Sequence, residues 1–211
     1  MRTEELIDLL SRDSSSRWSL KRTLIAAAGI GVMVAATLFF SGIGFRPDIA
    51  EAVQSTRFLF KFVVTISLAV AAIDATLRLG RPDGDVARKV TMLLAAPVLL
   101  ICAVMIELVV VPENQWMFNL VGHNSRSCLT LIPLLSIGPL ICFLVALRQG
   151  APERPGLAGA VSGLAAGGIA ATFYAANCND DSPLFVATWY SIAILMVAAA
   201  GGVAGRRLLR W

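Results

Sequence analysis

The sequence predicts an all-α, polytopic membrane protein, a bundle of six transmembrane helices with both termini in the cytoplasm. Three observations carry this. Hydrophobic residues make up 57% of the 211 and charged residues only 15%, with a mean hydropathy of +0.75, whereas a soluble domain is about a quarter charged. Six stretches are apolar over the roughly 20 residues that a helix needs to cross about 30 Å of hydrocarbon. The charges collect between those stretches, and fourteen of the eighteen Lys and Arg fall on one side. This composition excludes a soluble globular enzyme, a disordered chain and a disulfide-stapled secreted module.

Residues 1–22 form a cytoplasmic segment too polar to insert and too short to fold alone, so the span that follows does not read as a cleavable signal. Thr3 can cap a helix with Glu4 and Glu5 in its first turn. Leu6, Ile7, Leu9 and Leu10 then make one apolar stripe, and Ser14, Ser15 and Ser16 a joint before Trp18. Two uses are open to the stripe. It can lie on the membrane or on the inner face of the bundle, or it can dock into a partner's groove as an amphipathic helix.

Residues 23–205 form the transmembrane domain, and 206–211 a short cytoplasmic tail. The expected spans are Leu24 to Phe45, Arg57 to Leu79, Val90 to Val111, Ser127 to Leu147, Pro155 to Ala176 and Ser182 to Gly205. Short polar connectors separate them, with turn signals at Arg81-Pro82-Asp83-Gly84 and Gly150-Ala151-Pro152. Orientation follows from Lys and Arg. Only Arg46, Arg57, Lys61 and Arg126 fall on the outer side, which puts both termini inside and explains the net charge of +4 without invoking nucleic acid.

The fifth span carries Gly159-xxx-Gly163-xxx-Gly167 and the sixth Gly201-xxx-Gly205. Lipid gives helices no hydrophobic drive to associate, so close backbone approach through small residues predicts tight packing here. Pro97, Pro133 and Pro139 predict bends in spans three and four. Of the intramembrane charges, Lys61 and Glu107 fall at similar depth and predict an ion pair, while Asp74 and Arg78 form an i,i+4 pair. A proton or ion pathway would need carboxylates deep in several spans, and a small-solute or metal transporter would need a polar midplane. Trp18, Trp116, Trp189, Tyr190 and Trp211 fit interfacial belts.

Four cysteines remain. Cys102 and Cys142 differ by about 10 Å in depth at the helical rise, too far for a disulfide, and read as core residues. Cys128 and Cys178 share the outer depth, where disulfides persist. They are either a fixed staple of spans four to six or a switchable pair, oxidised, reduced or metal-occupied. His123, Asp180 and Asp181 are candidates to complete a transient soft-metal site with the two thiols. Asp181, Ser182 and Pro183 also read as the first turn of span six, with acid at the positive end of the dipole and Pro at N1. No nucleophile with a base, CxxC or phosphate loop is present. A membrane thiol oxidoreductase would want a second reactive pair or a quinone site, so the chain does not read as an enzyme, and it implies no resident cofactor.

Several segments together resemble a known family. They are Thr3-Glu4-Glu5-Leu6-Ile7-Asp8-Leu9-Leu10, Arg78-Leu79-Gly80-Arg81-Pro82, Cys128 with Ile132-Pro133-Leu134-Leu135-Ser136, and Cys178-Asn179-Asp180-Asp181-Ser182-Pro183-Leu184-Phe185-Val186 with Trp189-Tyr190. The chain resembles the NrsF-type anti-sigma factors, six-span inner-membrane regulators of extracytoplasmic-function sigma factors. The resemblance implies a cytoplasmic N-terminal segment that holds such a sigma factor inactive, in the bacterial inner membrane, among its lipids. It also implies that Cys128 and Cys178 receive a metal or oxidative signal. Many members carry His before the second cysteine where this chain has Asn177, which favours thiol chemistry over a site built on that histidine.

Overall fold

The computed structural model describes residues 19–80 and 90–209. The Leu6, Ile7, Leu9 and Leu10 stripe, Trp18, the Arg81-Pro82-Asp83-Gly84 turn and Trp211 lie outside the described residues. All six expected spans are helices, each long and apolar enough to cross a membrane. They are α1 (Leu20–Gly42), α2 (Thr56–Leu79), α3 (Ala95–Val110, which with the turn before it makes the span Thr91–Val110), α4 (Ser125–Leu147), α5 (Pro155–Ala175) and α6 (Pro183–Leu208). No strand occurs among the described residues.

The bounds differ from expectation where local chemistry allows. α1 starts a turn early, at Leu20 rather than Leu24, because Lys21 and Arg22 can extend their long stems from a helix end toward polar surroundings. It stops at Gly42 rather than Phe45, and Gly44 follows with φ +72°, a left-handed conformation that ends a helix and suits glycine. α3 is entered through a 3₁₀ turn, Val90–Leu94. Pro97 therefore lies in the first α-turn, where a missing N–H is tolerated, rather than at a mid-span bend. Pro133 and Pro139 do lie inside α4. Two short helices in the connectors, Ile49–Ala52 and Glu113–Val121, were not expected.

α5 is the hub, packing on α2, α4 and most extensively on α6. Two-thirds of its apolar window is buried (67%), against 11% for α3, which rests on α2 and the start of α6 at the rim. The α5–α6 contact is the glycine seam expected from sequence. A Cβ on Gly163 would come within 2.6 Å of Ala198 Cα, and one on Gly205 within 2.9 Å of Gly159 Cα. Any larger residue at these positions forces the backbones apart. α1 packs on α4 in the same way, with Gly31 against Pro139.

Loose packing of α3 overturns one expectation. Cys102 is exposed on its outer face rather than in a core, because α3 turns only Ala96 and Glu107 fully inward. Cys142 is half-buried and packs against a cluster drawn largely from α1, α2, α4 and α5. At one end of the bundle Leu20 packs on Gly80 and Gly150, joining the start of α1 to the ends of α2 and α4. The opposite end gathers Arg46, Lys61, Glu107, Asp180, Asp181, Cys128 and Cys178.

Candidate functional site

The cysteine end is built from a helix start and a loop. Cys128 lies in the first turn of α4, where its N–H donates to Asn124 O at 2.8 Å. Cys178 follows the end of α5, with its N–H on Tyr174 O at 3.0 Å. Both are buried, at 0% and 1% exposure, in one cluster with Phe39, Ile132, Tyr174, Phe185 and Tyr190. All four cysteines of the chain are free thiols in the structure. Burial pushes the Cys178 thiol above its ordinary range, opposed by the nearby Lys61 charge.

Lys61 is the residue that fixes the loop. It is fully buried on α2, yet it does not pair with Glu107 as its depth suggested. Its Nζ forms an ion pair with Asp181 Oδ1 at 2.6 Å and donates to Cys178 O at 2.8 Å. A buried ammonium must find charge and acceptors together; the loop after α5 offers a carboxylate and a backbone carbonyl, while the Glu107 carboxylate is taken by Ser182 and Leu184. Arg46 adds a second cation. It bonds Asp48 through Nε and Nη2, both at 2.6 Å, and Asp181 through Nη1 at 3.0 Å. Its Nη1 also reaches Cys178 O at 3.4 Å. The Asp48 hydrogen bond, then Asp181, hold the guanidinium above its ordinary range, and Arg46 in turn pulls Asp48 below the usual carboxylate range.

Asp180 ties the same loop to the start of α4. Its carboxylate accepts from the backbone N–H of His123 at 3.0 Å and of Asn124 at 2.8 Å, and from Asn124 Nδ2 at 3.0 Å. Gly122 permits this approach. It has φ +56°, and a Cβ there would lie 2.8 Å from Asp180 Cγ. His123 Nδ1 stands 3.7 Å from Asp180 on an exposed ring. Among the described residues no three His, Cys, Asp or Glu side chains converge as a metal-holding set. The two acids offered as ligands with Cys128, Cys178 and His123 are thus committed elsewhere, Asp180 to backbone and Asp181 to Lys61 and Arg46.

The start of α6 follows the sequence in part. Ser182 is the N-cap, accepting from Leu184 N at 3.2 Å, and Pro183 occupies N1. The acid at the helix end is Glu107 of α3 rather than Asp181. Glu107 accepts from Ser182 Oγ at 2.9 Å and from Leu184 N at 2.9 Å, with Arg57 Nη1 at 3.8 Å. A carboxylate there complements the positive helix end and satisfies an orphan N–H. The Asp74–Arg78 pair is present at 2.7 Å, as expected. Trp116 and Trp189 give their indole N–H to Val111 O and Leu120 O.

Sequence reasoning located the two thiols and named Asp180 and Asp181, but missed the work of Lys61, Arg46, Tyr174 and Tyr190. One signal was available. Arg46 and Lys61 are two of only four cations expected on the outer side, and two adjacent acids lie in the connector that reaches them.

A family model described as "Negative regulator of sigma F" matches residues 10–211. "Anti-sigma-F factor NrsF" of Caulobacter vibrioides is 38% identical over 216 residues, covering all of both chains. "Probable anti-sigma-F factor NrsF" of Azospira oryzae is 32% identical over 214 residues, again covering both completely. No solved structure matches the chain.

Proposed function

The chain belongs to the NrsF family of negative regulators of sigma F, and from that membership we propose that it is a membrane-bound anti-sigma factor. It holds an extracytoplasmic-function sigma factor through residues 1–22, with Leu6, Ile7, Leu9 and Leu10 as the docking stripe. It works without catalysis in the bacterial inner membrane. Both termini are cytoplasmic and the cysteine end faces outward. Its single strongest support is likeness over the whole length of two relatives that carry the anti-sigma name.

Cys128 and Cys178 receive the signal, a thiol oxidant or a soft metal ion. Supporting this, the two thiols share one buried cluster, and Cys178 sits on a loop that α2, α4 and the first connector all hold. A modification that moves this loop strains the Lys61–Asp181 pair and the Asp180 contact with α4 together. Shifting a two-state equilibrium from mostly bound to mostly free takes about 5.5 kcal/mol of differential interaction. Breaking a buried ion pair costs about 3–5 kcal/mol, so disturbing this network works on the required scale, which a solvated loop charge does not.

The test is a pull-down from native membranes in mild detergent, comparing the full chain with one lacking residues 1–22. The expected result is a sigma factor recovered with the full chain alone. Recovery with both chains, or with neither, rejects the assignment of the binding segment. In parallel, Cys128→Ser should keep the sigma factor bound and lose its release on exposure to an oxidant or soft metal. Unchanged release would sink the sensing role.

A further inference from the structure

Hydroxyl groups inside the spans follow one habit. Thr37, Thr76, Ser136, Ser162, Thr172 and Thr188 each donate to the backbone carbonyl four residues back, at 2.7–2.9 Å. In hydrocarbon no water can take the place of that bond. Ser191 breaks the habit. Its hydroxyl makes no hydrogen bond among the described residues, although it lies about 12 Å into α6 at the helical rise. The backbone explains why. Val186–Tyr190, just before it, is a π-helical turn, whose wider loop moves the carbonyl that an α-helical hydroxyl would reach. Such turns recur at functional sites. Beside Ser191, the Tyr190 hydroxyl is the one buried side-chain polar atom without a partner among the described residues.

Both residues line a cavity of about 340 Å³ between α2, α3 and α6, a volume ordinary for small-molecule sites. The only other polar residue in its wall is Thr65, which returns its hydroxyl to Lys61 O at 2.9 Å. The remaining wall is apolar, with Val64 and Leu68 of α2, Leu100 and Val104 of α3, and Ile194 of α6. No connector residue takes part, and at the α3 edge Ile101 and Met105 are exposed. Entry is therefore sideways from the bilayer, past the least buried span.

The lining selects an apolar guest, and Ser191 selects among apolar guests. An acyl chain fills the space but offers the hydroxyl no acceptor. The ester carbonyls of bilayer lipids lie at the boundary of the hydrocarbon layer, whereas Ser191 lies within it. We propose that this cavity binds a compact lipophilic ketone dissolved in the membrane, with Ser191 Oγ as the donor to its carbonyl oxygen. Tyr190 belongs both to the cavity wall and to the cluster that holds Cys128 and Cys178, so an occupant rests against the thiol end of the bundle. Binding there does not depend on the role of the two thiols.

The experiment uses the full chain in vesicles of phosphatidylethanolamine and phosphatidylglycerol, with benzophenone as the probe. In near-ultraviolet light the benzophenone carbonyl takes a hydrogen atom from an adjacent C–H group. The two carbon radicals then join, and the protein gains the whole mass of the ketone. Peptide mapping should place the adducts on cavity residues, Leu100, Val104 and Ile194 among them. Fluorenone should suppress this labelling about threefold to tenfold more strongly than fluorene, which has the same shape without the carbonyl, as expected for one hydrogen bond. That difference should vanish in Ser191→Ala, which removes no bond within the protein. It should persist in Thr188→Ala, whose hydroxyl does not line the cavity. Labelling spread evenly over the lipid-facing helices would overturn the proposal. So would equal suppression by the two competitors, an unchanged preference in Ser191→Ala, or the same loss in Thr188→Ala.

Discussion

Glu107 shows how one side chain can hold two elements at once. It sits on the least enclosed span, yet is only 3% exposed, because its carboxylate caps the start of α6. Replacing it by Ala removes the acceptor of the Ser182 hydroxyl and the nearer acceptor of the Leu184 N–H, which keeps only Ser182 Oγ at 3.2 Å. An unsatisfied buried donor costs about 1–3 kcal/mol, and Glu107→Ala should lose that much on denaturant titration in detergent. Glu107→Gln keeps an acceptor oxygen and should lose distinctly less. Equal losses would show that charge, rather than the cap, is what matters there. Depth alone suggested Lys61 as the partner of Glu107, and it was misleading. Depth fixes how far along a helix a residue lies but not which way its side chain points.

At the scale of elements, the α5–α6 seam and the open face of α1 make opposite cases from the same residue type. Gly163 has Ala198 Cα 2.6 Å from where its Cβ would be, whereas Gly29 has no neighbour within 4 Å. Gly163→Leu should therefore destabilise the bundle by about 1–3 kcal/mol or more through overpacking. Gly29→Leu should change stability little, since no neighbour must move. Parallel unfolding curves of the two variants check this, and matched losses would mean that α5–α6 is not the seam. The seam itself was legible in the i, i+4 glycines. The exposure of Cys102 was not, because spacing along α3 does not reveal which of its faces α2 and the start of α6 cover.

For the whole molecule, the Lys and Arg count assigns a direction that the helices alone leave open. Six crossings place both ends of the chain on one side and the cysteine end on the other, but helix geometry is the same in either orientation. His123, with a side chain 73% exposed at the cysteine end, and exposed Arg148 at the other end are suitable reporters. In intact cells, with the native cysteines replaced, a membrane-impermeant thiol reagent should label His123→Cys and spare Arg148→Cys. The reverse pattern would invert the topology and remove the thiols from the oxidising side. With the expected orientation, the loop that carries Cys178 is linked through Lys61 to α2, whose far end reaches Gly80 and, through Leu20, the start of α1. A continuous packed path thus joins the thiols to the end from which residues 1–22 extend.

The sequence by itself determined the class, the number of spans, the glycine seam, the start of the last span with Pro183 at N1, and which two thiols share a depth. Each of these follows from local composition, from a helical period, or from position along a span of known rise. Only the tertiary structure decided the partners. Lys61 joins Asp181 instead of Glu107, Glu107 serves the start of α6, Asp180 holds the α4 start instead of a metal, and Cys102 faces outward. Those choices depend on how six helices rotate about their own axes when they pack. Rotation is set by the sum of all their contacts, and no stretch of one helix records it.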